Sequence, residues 1–140
     1  MITLRKARTI VRKTLEKSRE LGLKPMSVIV VDAGGHVQAF EREDMASPGR
    51  FAIAQGKAYG SVMLGMAGTA QMARAEAQAY FIAAAGGALG GQMIPVPGGV
   101  LVRDKKGVVI GAVGVTGDTS DNDAIAAMAG VDAAGLIGEI

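Results

Sequence analysis

Leu4, Ala7, Val11, Leu15, Ser18 and Leu21 recur at intervals of three and four near the start of the chain, with charged residues between them. That period gathers the small and apolar positions on one stripe of an α-helix. Thr3 stands where an N-cap is needed, and Gly22 followed by Pro25 marks the stop. The pattern then changes. Ser27 to Ala33 (SVIVVDA) is a β-branched run, Gly34-Gly35 follows, and a second extended run covers His36 to Arg42. Asp and two Gly supply the turn, so the segment predicts a β-hairpin. Regular alternation along its second strand would put His36, Gln38, Phe40 and Arg42 on one face, with Val37, Ala39 and Glu41 on the other.

From about Arg50 to Ala85, Ala, Met and Gly recur at helical spacing, with a break expected at Gly65 to Gly68 and Thr69 as the next cap. Gly86 to Gly99 reads as an irregular connector. Val100 to Arg103, a turn at Asp104-Lys105-Lys106-Gly107, and Val108 to Val115 form a second hairpin. A helix from roughly Asn122 to Leu136 follows, capped by Ser120 or Asp121. The hairpin segments VVDAGGHVQAF and VRDKKGVVIGA share one order: strand, Asp, two residues, Gly, strand. Duplication or a recurring turn accounts equally for that likeness. Hairpins imply antiparallel pairing, so the expectation is an α+β fold, an antiparallel sheet of two hairpins flanked by helices, with residues 1–140 as a single domain.

Composition mainly excludes. Hydrophobic residues make up 49% of the chain, enough for a core without cross-links. Cys is absent, which removes disulfides, thiolate metal sites and a cysteine nucleophile and suits a cytoplasmic location. No run approaches the ~20 apolar residues of a membrane span. The opening MITLRKARTI lacks the apolar centre of a secretory signal, so no membrane partner is expected. Arg5, Lys6, Arg8, Arg12, Lys13, Lys17 and Arg19 crowd the first helix, yet no aromatic residues alternate with them to stack bases. Nucleic acid is therefore not an expected partner. The chain holds 21 Gly and 8 Met with only 4% aromatics, a composition that lets elements and subunits approach closely.

No phosphate-binding loop, dinucleotide fingerprint or nucleophile elbow occurs. Asp118 to Asp123 opens like a calcium loop but lacks its glycine and its closing Glu, so helix capping explains it better. His36 is the only imidazole, which makes it the natural haem-iron ligand unless it merely begins a strand. Arg42 could clamp a carboxylate in two-pronged fashion, and Arg50 and Lys57 follow soon after. Lys57 lies in a small, apolar helix and must either snorkel outward or pair with an acid such as Asp44. Two sets result. His36, Phe40, Arg42, Arg50 and Lys57 are candidate ligand-binding residues, while Asp44, His36 and Lys57 are candidate catalytic groups. In the catalytic reading the protein is an isomerase, lyase or hydrolase of a small carboxylated metabolite.

The runs VIVVDAGGHVQAFERED, IAQGKAYGS and PVPGGVLVRDKKGVVIGAVGVTGDTSDNDAIAAMAG resemble, in order and nearly end to end, the GlcG/HbpS family of haem-degrading or PduO C-terminal-like domains. Where that family carries R-M-D this chain has Arg42-Glu43-Asp44, and Gly98-Gly99-Val100-Leu101 has Leu where the family has Pro. The resemblance implies an antiparallel sheet flanked by helices, haem or another tetrapyrrole as ligand, haem degradation in some members, and homo-oligomers such as octamers.

Overall fold

Both hairpins form. A computed structural model describes all 140 residues. In it β1 (Ser27–Asp32) pairs with β2 (Val37–Arg42), and β3 (Gly99–Arg103) pairs with β4 (Val109–Thr116), antiparallel throughout. β1 also pairs with β4, and a short strand that the sequence reading did not foresee, β5 (Ile137–Glu139), adds to β3. The sheet order is β2-β1-β4-β3-β5. The helices are α1 (Leu4–Glu20), α2 (Arg50–Leu64), α3 (Gly68–Ala77), α4 (Ala79–Ala88) and α5 (Ser120–Ala133).

The likeness of the hairpins goes beyond a shared turn. Asp32 Oδ1 accepts the N–H groups of Gly34 and His36 at 2.9 Å each, and Asp104 Oδ1 accepts those of Lys106 and Val108 at 2.9 and 3.0 Å. Gly35 and Gly107 close the two turns at the same φ of 82°, where a side chain would be strained. Each hairpin also carries a register shift at the equivalent place, between Val30 and Val31 and between Val102 and Arg103. That shift corrects the expected alternation. Val37 lies opposite Val31 and Phe40 opposite Ile29, so Val37 shares its face with Phe40 and Arg42 rather than with Ala39 and Glu41.

β1, β3 and β4 are buried on both sides, which is why they read as nearly continuous apolar runs. One face packs Val28, Val30, Val100, Val102 and Val113 against Ile10 and Val11 of α1 and Val131 of α5. The other packs Ile29, Val31, Leu101 and Ala112 against Ala54 and Ala58 of α2. The α1 stripe centres on Ala7, Ile10, Val11, Thr14 and Ser18, and leaves Leu4 and Leu21 half exposed.

The middle of the chain departs from expectation. Thr69 sits inside α3 and the N-cap is Ala67, while the extended backbone of Gln78 separates α3 from α4. α4 runs on to Ala88, into the segment read as a connector. The cap of α5 is Thr119, which accepts the Asn122 N–H at 3.3 Å; neither Ser120 nor Asp121 fills that place.

Asp118, just before this cap, accepts from Asn122 Nδ2 and from the backbone N–H groups of Thr119 and Lys24. These bonds, led by Asn122, lower its pKa to about 2 from 3.8. A depressed carboxylate stabilises the fold above its unfolded value and loses that contribution as pH falls through its folded value. Asp118→Asn is therefore expected to be less stable than the parent at neutral pH, with the gap closing as pH falls from 3.8 towards about 2. Urea unfolding of the two proteins across that range checks it.

Candidate functional site

The hairpin turn delivers His36 to the surface at one end of the sheet. Its side chain is 82% exposed. Asp32 reaches back across the turn, with its carboxylate oxygens 3.2 and 3.3 Å from His36 Nδ1. Hydrogen bonds to this carboxylate, first that from the His36 backbone N–H, hold Asp32 below the usual carboxylate range. A carboxylate at Nδ1 favours the proton on that nitrogen, which leaves the Nε2 lone pair directed to solvent. Behind the turn stand Tyr59 and Met63 of α2. A Cβ placed on Gly35 would lie 2.8 Å from the Tyr59 ring and 3.1 Å from the Met63 methyl. The turn that carries the imidazole thus rests, through Gly35, on a half-buried aromatic ring and a thioether.

The other predicted residues lie elsewhere. Ser27, at the opposite end of β1, is paired with Arg42 on one side and Thr116 on the other. Five strand steps, ~16 Å, separate that end from the His36 turn. Arg50 Nη1 donates to Thr116 Oγ1 at 2.7 Å, and Arg42 Nη1 donates to the Ala46 carbonyl at 3.0 Å. Phe40 meets Phe51 edge-to-face at 4.8 Å, which pins the start of α2 to β2. Asp44 is exposed and shares an open polar depression of about 490 Å³ with Arg42, Arg19 and Glu43.

Lys57 does not pair with Asp44. Its ammonium donates to Asp123 Oδ2 at 3.1 Å and to the Val115 carbonyl at 2.9 Å, and the residue is only 2% exposed. Burial pushes the Lys57 ammonium below its ordinary 10.5 and the Asp123 carboxyl above its ordinary 3.8, each partly offset by attraction to the other. Of the expected anion clamp, Arg42 lines an open depression, Arg50 stands near enough to Lys57 to oppose its charge, and Lys57 is buried and already neutralised by Asp123. Asp44, His36 and Lys57 occupy three separate places.

Sequence reasoning missed two residues. Asp32 carried a signal, an acid four positions before the only His across a Gly-Gly turn. Asp123 carried none that separated it from the capping acids around it.

The profile of the family described as haem-degrading protein, HbpS-like, matches residues 2–132. The chain belongs to that family. No curated protein matches the sequence. Among solved structures, the HbpS-like fold recurs in a PduOC–haem complex with a TM-score of 0.85 and 21% identity over 96% of both chains. It recurs in the Klebsiella pneumoniae protein ORFY with a TM-score of 0.81 and 28% identity, covering 96% of this chain and 90% of that one. A double mutant of Streptomyces reticuli HbpS gives 0.80 and 28%, covering 94% and 85%. The α+β antiparallel architecture is that of the family. No helix is long and apolar enough to cross a membrane.

Proposed function

We propose that this HbpS-like protein binds haem through His36 Nε2, with Asp32 orienting the imidazole and Tyr59 and Met63 backing the macrocycle. The observation that carries the reading is the Asp32–His36 arrangement: a carboxylate fixes one ring nitrogen and presents the other, as second-shell carboxylates do for metal-ligating histidines. Family membership supplies the ligand class. Bound haem would bring an iron centre able to bind or reduce oxygen. The chain's own residues hold and aim the ligand. Arg42 and Arg50, at the far end of β1, are assigned no part in holding the ligand.

An imidazole this exposed does not enclose a porphyrin by itself, so the remaining wall comes from a second copy of the chain. α4 supports assembly. Its exposed face holds Tyr80, Ala83, Ala84 and Gly87, and no Asp, Glu, Lys, Arg or His occurs from Ala77 to Val102. A surface helix without charge is the mark of a face that is covered in the assembled protein.

Hemin titration tests the reading. A saturable Soret shift is expected, abolished in His36→Ala and weakened roughly 10–100-fold in Asp32→Asn, which keeps the acceptor of the turn but loses the charge on the imidazole. Unsaturable uptake, or a His36→Ala protein that binds like the parent, would remove it.

A further inference from the structure

β2 is an edge strand, and its free edge opens onto a trough along α1. Glu43 N–H donates to the Met26 carbonyl. In an antiparallel ladder the inward-bonded positions alternate, so the N–H and C=O groups of Phe40 and Arg42 point outward, away from β1. An open edge of this kind is a template for another strand.

Beside it lies a hollow of about 460 Å³ lined by Leu4, Arg5, Arg8, Thr9, Arg12 and Glu41. A second, of about 250 Å³, shares Leu4, Arg8 and Glu41 and continues along Gln38, Ala39 and Phe40. The charge here is unbalanced. Elsewhere on α1, Lys13 meets Glu16 at 2.8 Å, Lys17 meets Glu20 at 3.3 Å, Arg19 meets Glu43 at 3.0 Å, and Lys6 donates to the Ala134 carbonyl. Arg5 and Arg8 have no ion-pair partner, and Arg12 comes no nearer than 4.0 Å to Glu16. Glu41 is the one acid in the hollow.

We infer that this seam between α1 and β2 is a docking site for an extended acidic segment of another protein, which pairs with the Phe40–Arg42 edge and lays its carboxylates against Arg5, Arg8 and Arg12. Three observations select that occupant. The strand edge asks for a peptide backbone, which small anions lack. Side chains on one face of an added strand recur every ~7 Å. Arg5, Arg8 and Arg12 span ~10 Å of helix, so acids at alternate positions fall within reach of successive guanidinium groups. A second copy pairing its own β2 here would bring the same three arginines towards each other, and like charges oppose that. The inference does not rest on haem binding.

The test titrates the full-length protein with a fluorescein-labelled peptide alternating Glu and Val, read by anisotropy. A Lys/Val alternating peptide and an isomer with its Glu residues grouped at one end serve as controls. Saturable binding of the alternating Glu peptide is expected, weakening with added salt. Arg5→Glu with Arg8→Glu should loosen it at least about tenfold. Hydrogen exchange at the Phe40 and Arg42 amides should slow when this peptide binds. Absence of saturable binding overturns the inference. Equal binding of the grouped isomer, or binding that leaves those amides exchanging freely, means charge adsorption only and overturns it too. Amides already protected in the free protein would show that a second copy covers the edge, which is equally fatal.

Discussion

Lys57→Met alone is expected to cost about 3–5 kcal/mol of folding stability, whereas Lys57→Met combined with Asp123→Leu is expected to be near neutral or stabilising. The asymmetry follows from burial. Lys57 is 2% exposed and Asp123 1%, so removing one partner strands the other charge away from water. Removing both removes the desolvation cost together with the attraction. The directions of the two pKa shifts agree, since burial outweighs the partner's attraction for each group.

The pH dependence can be signed. Asp123 is raised, so the folded state keeps this proton at pH values where an unfolded Asp, at 3.8, has lost it. Its contribution to stability is fullest below 3.8 and is lost as pH rises through the folded value. The double variant's margin over the parent should therefore widen as pH climbs from below 3.8 through that window. The Lys57→Met deficit should shrink in acid, where Asp123 takes up a proton and no longer needs the ammonium. Urea unfolding of the parent and both variants at a series of pH values measures both trends. If Lys57→Met costs no more than a surface substitution, or its deficit grows in acid, the pair is not the buried charge that its geometry describes.

The same pair shows where sequence reading works and where it stops. The four hairpin strands, the first helix and both turns were legible because their signals are local: β-branched runs, an Asp-to-Gly turn, apolar spacing of three and four. The antiparallel α+β class followed from the order of those elements. His36 stood out as a candidate ligand because it is the sole imidazole. The partner of Lys57 was not legible, because Asp44 and Asp123 are both acids near helix starts and only the packing of α2 on β4, whose Val115 carbonyl also accepts from Lys57, brings the start of α5 to that lysine. The shared face assigned to His36 and Arg42 failed for a related reason. A register shift opposite Gln38 interrupts the two-residue period, and nothing in VQAFER marks it. The break at Gln78 escaped notice because its neighbours are all good helix formers.

Gly114→Ala is expected to destabilise the protein by about 3 kcal/mol or more, with loss of hemin binding following the loss of packing. A Cβ at this position would lie 2.0 Å from the Ala54 carbonyl oxygen, 2.9 Å from its carbon and 3.1 Å from the Ala58 nitrogen. All three are backbone atoms of α2, so no rotamer change relieves the overlap and the helix must lift from the sheet. Gly99, paired directly opposite, is as tightly covered, with a Cβ there 2.5 Å from the Lys57 carbonyl oxygen. The two glycines make a flat patch on which α2 rests. α2 also carries Lys57 into its ion pair and sets Tyr59 and Met63 behind the His36 turn, so one methyl group should disturb the core and the proposed ligand wall together. Gly49→Ala is the control. Its added methyl meets nothing within 4 Å and its φ of -70° suits any residue, so it should change stability by no more than about 1 kcal/mol. Thermal unfolding and hemin titration of both variants check the contrast. A Gly114→Ala protein with parental stability would mean that α2 does not sit on β4 as closely as the fold requires.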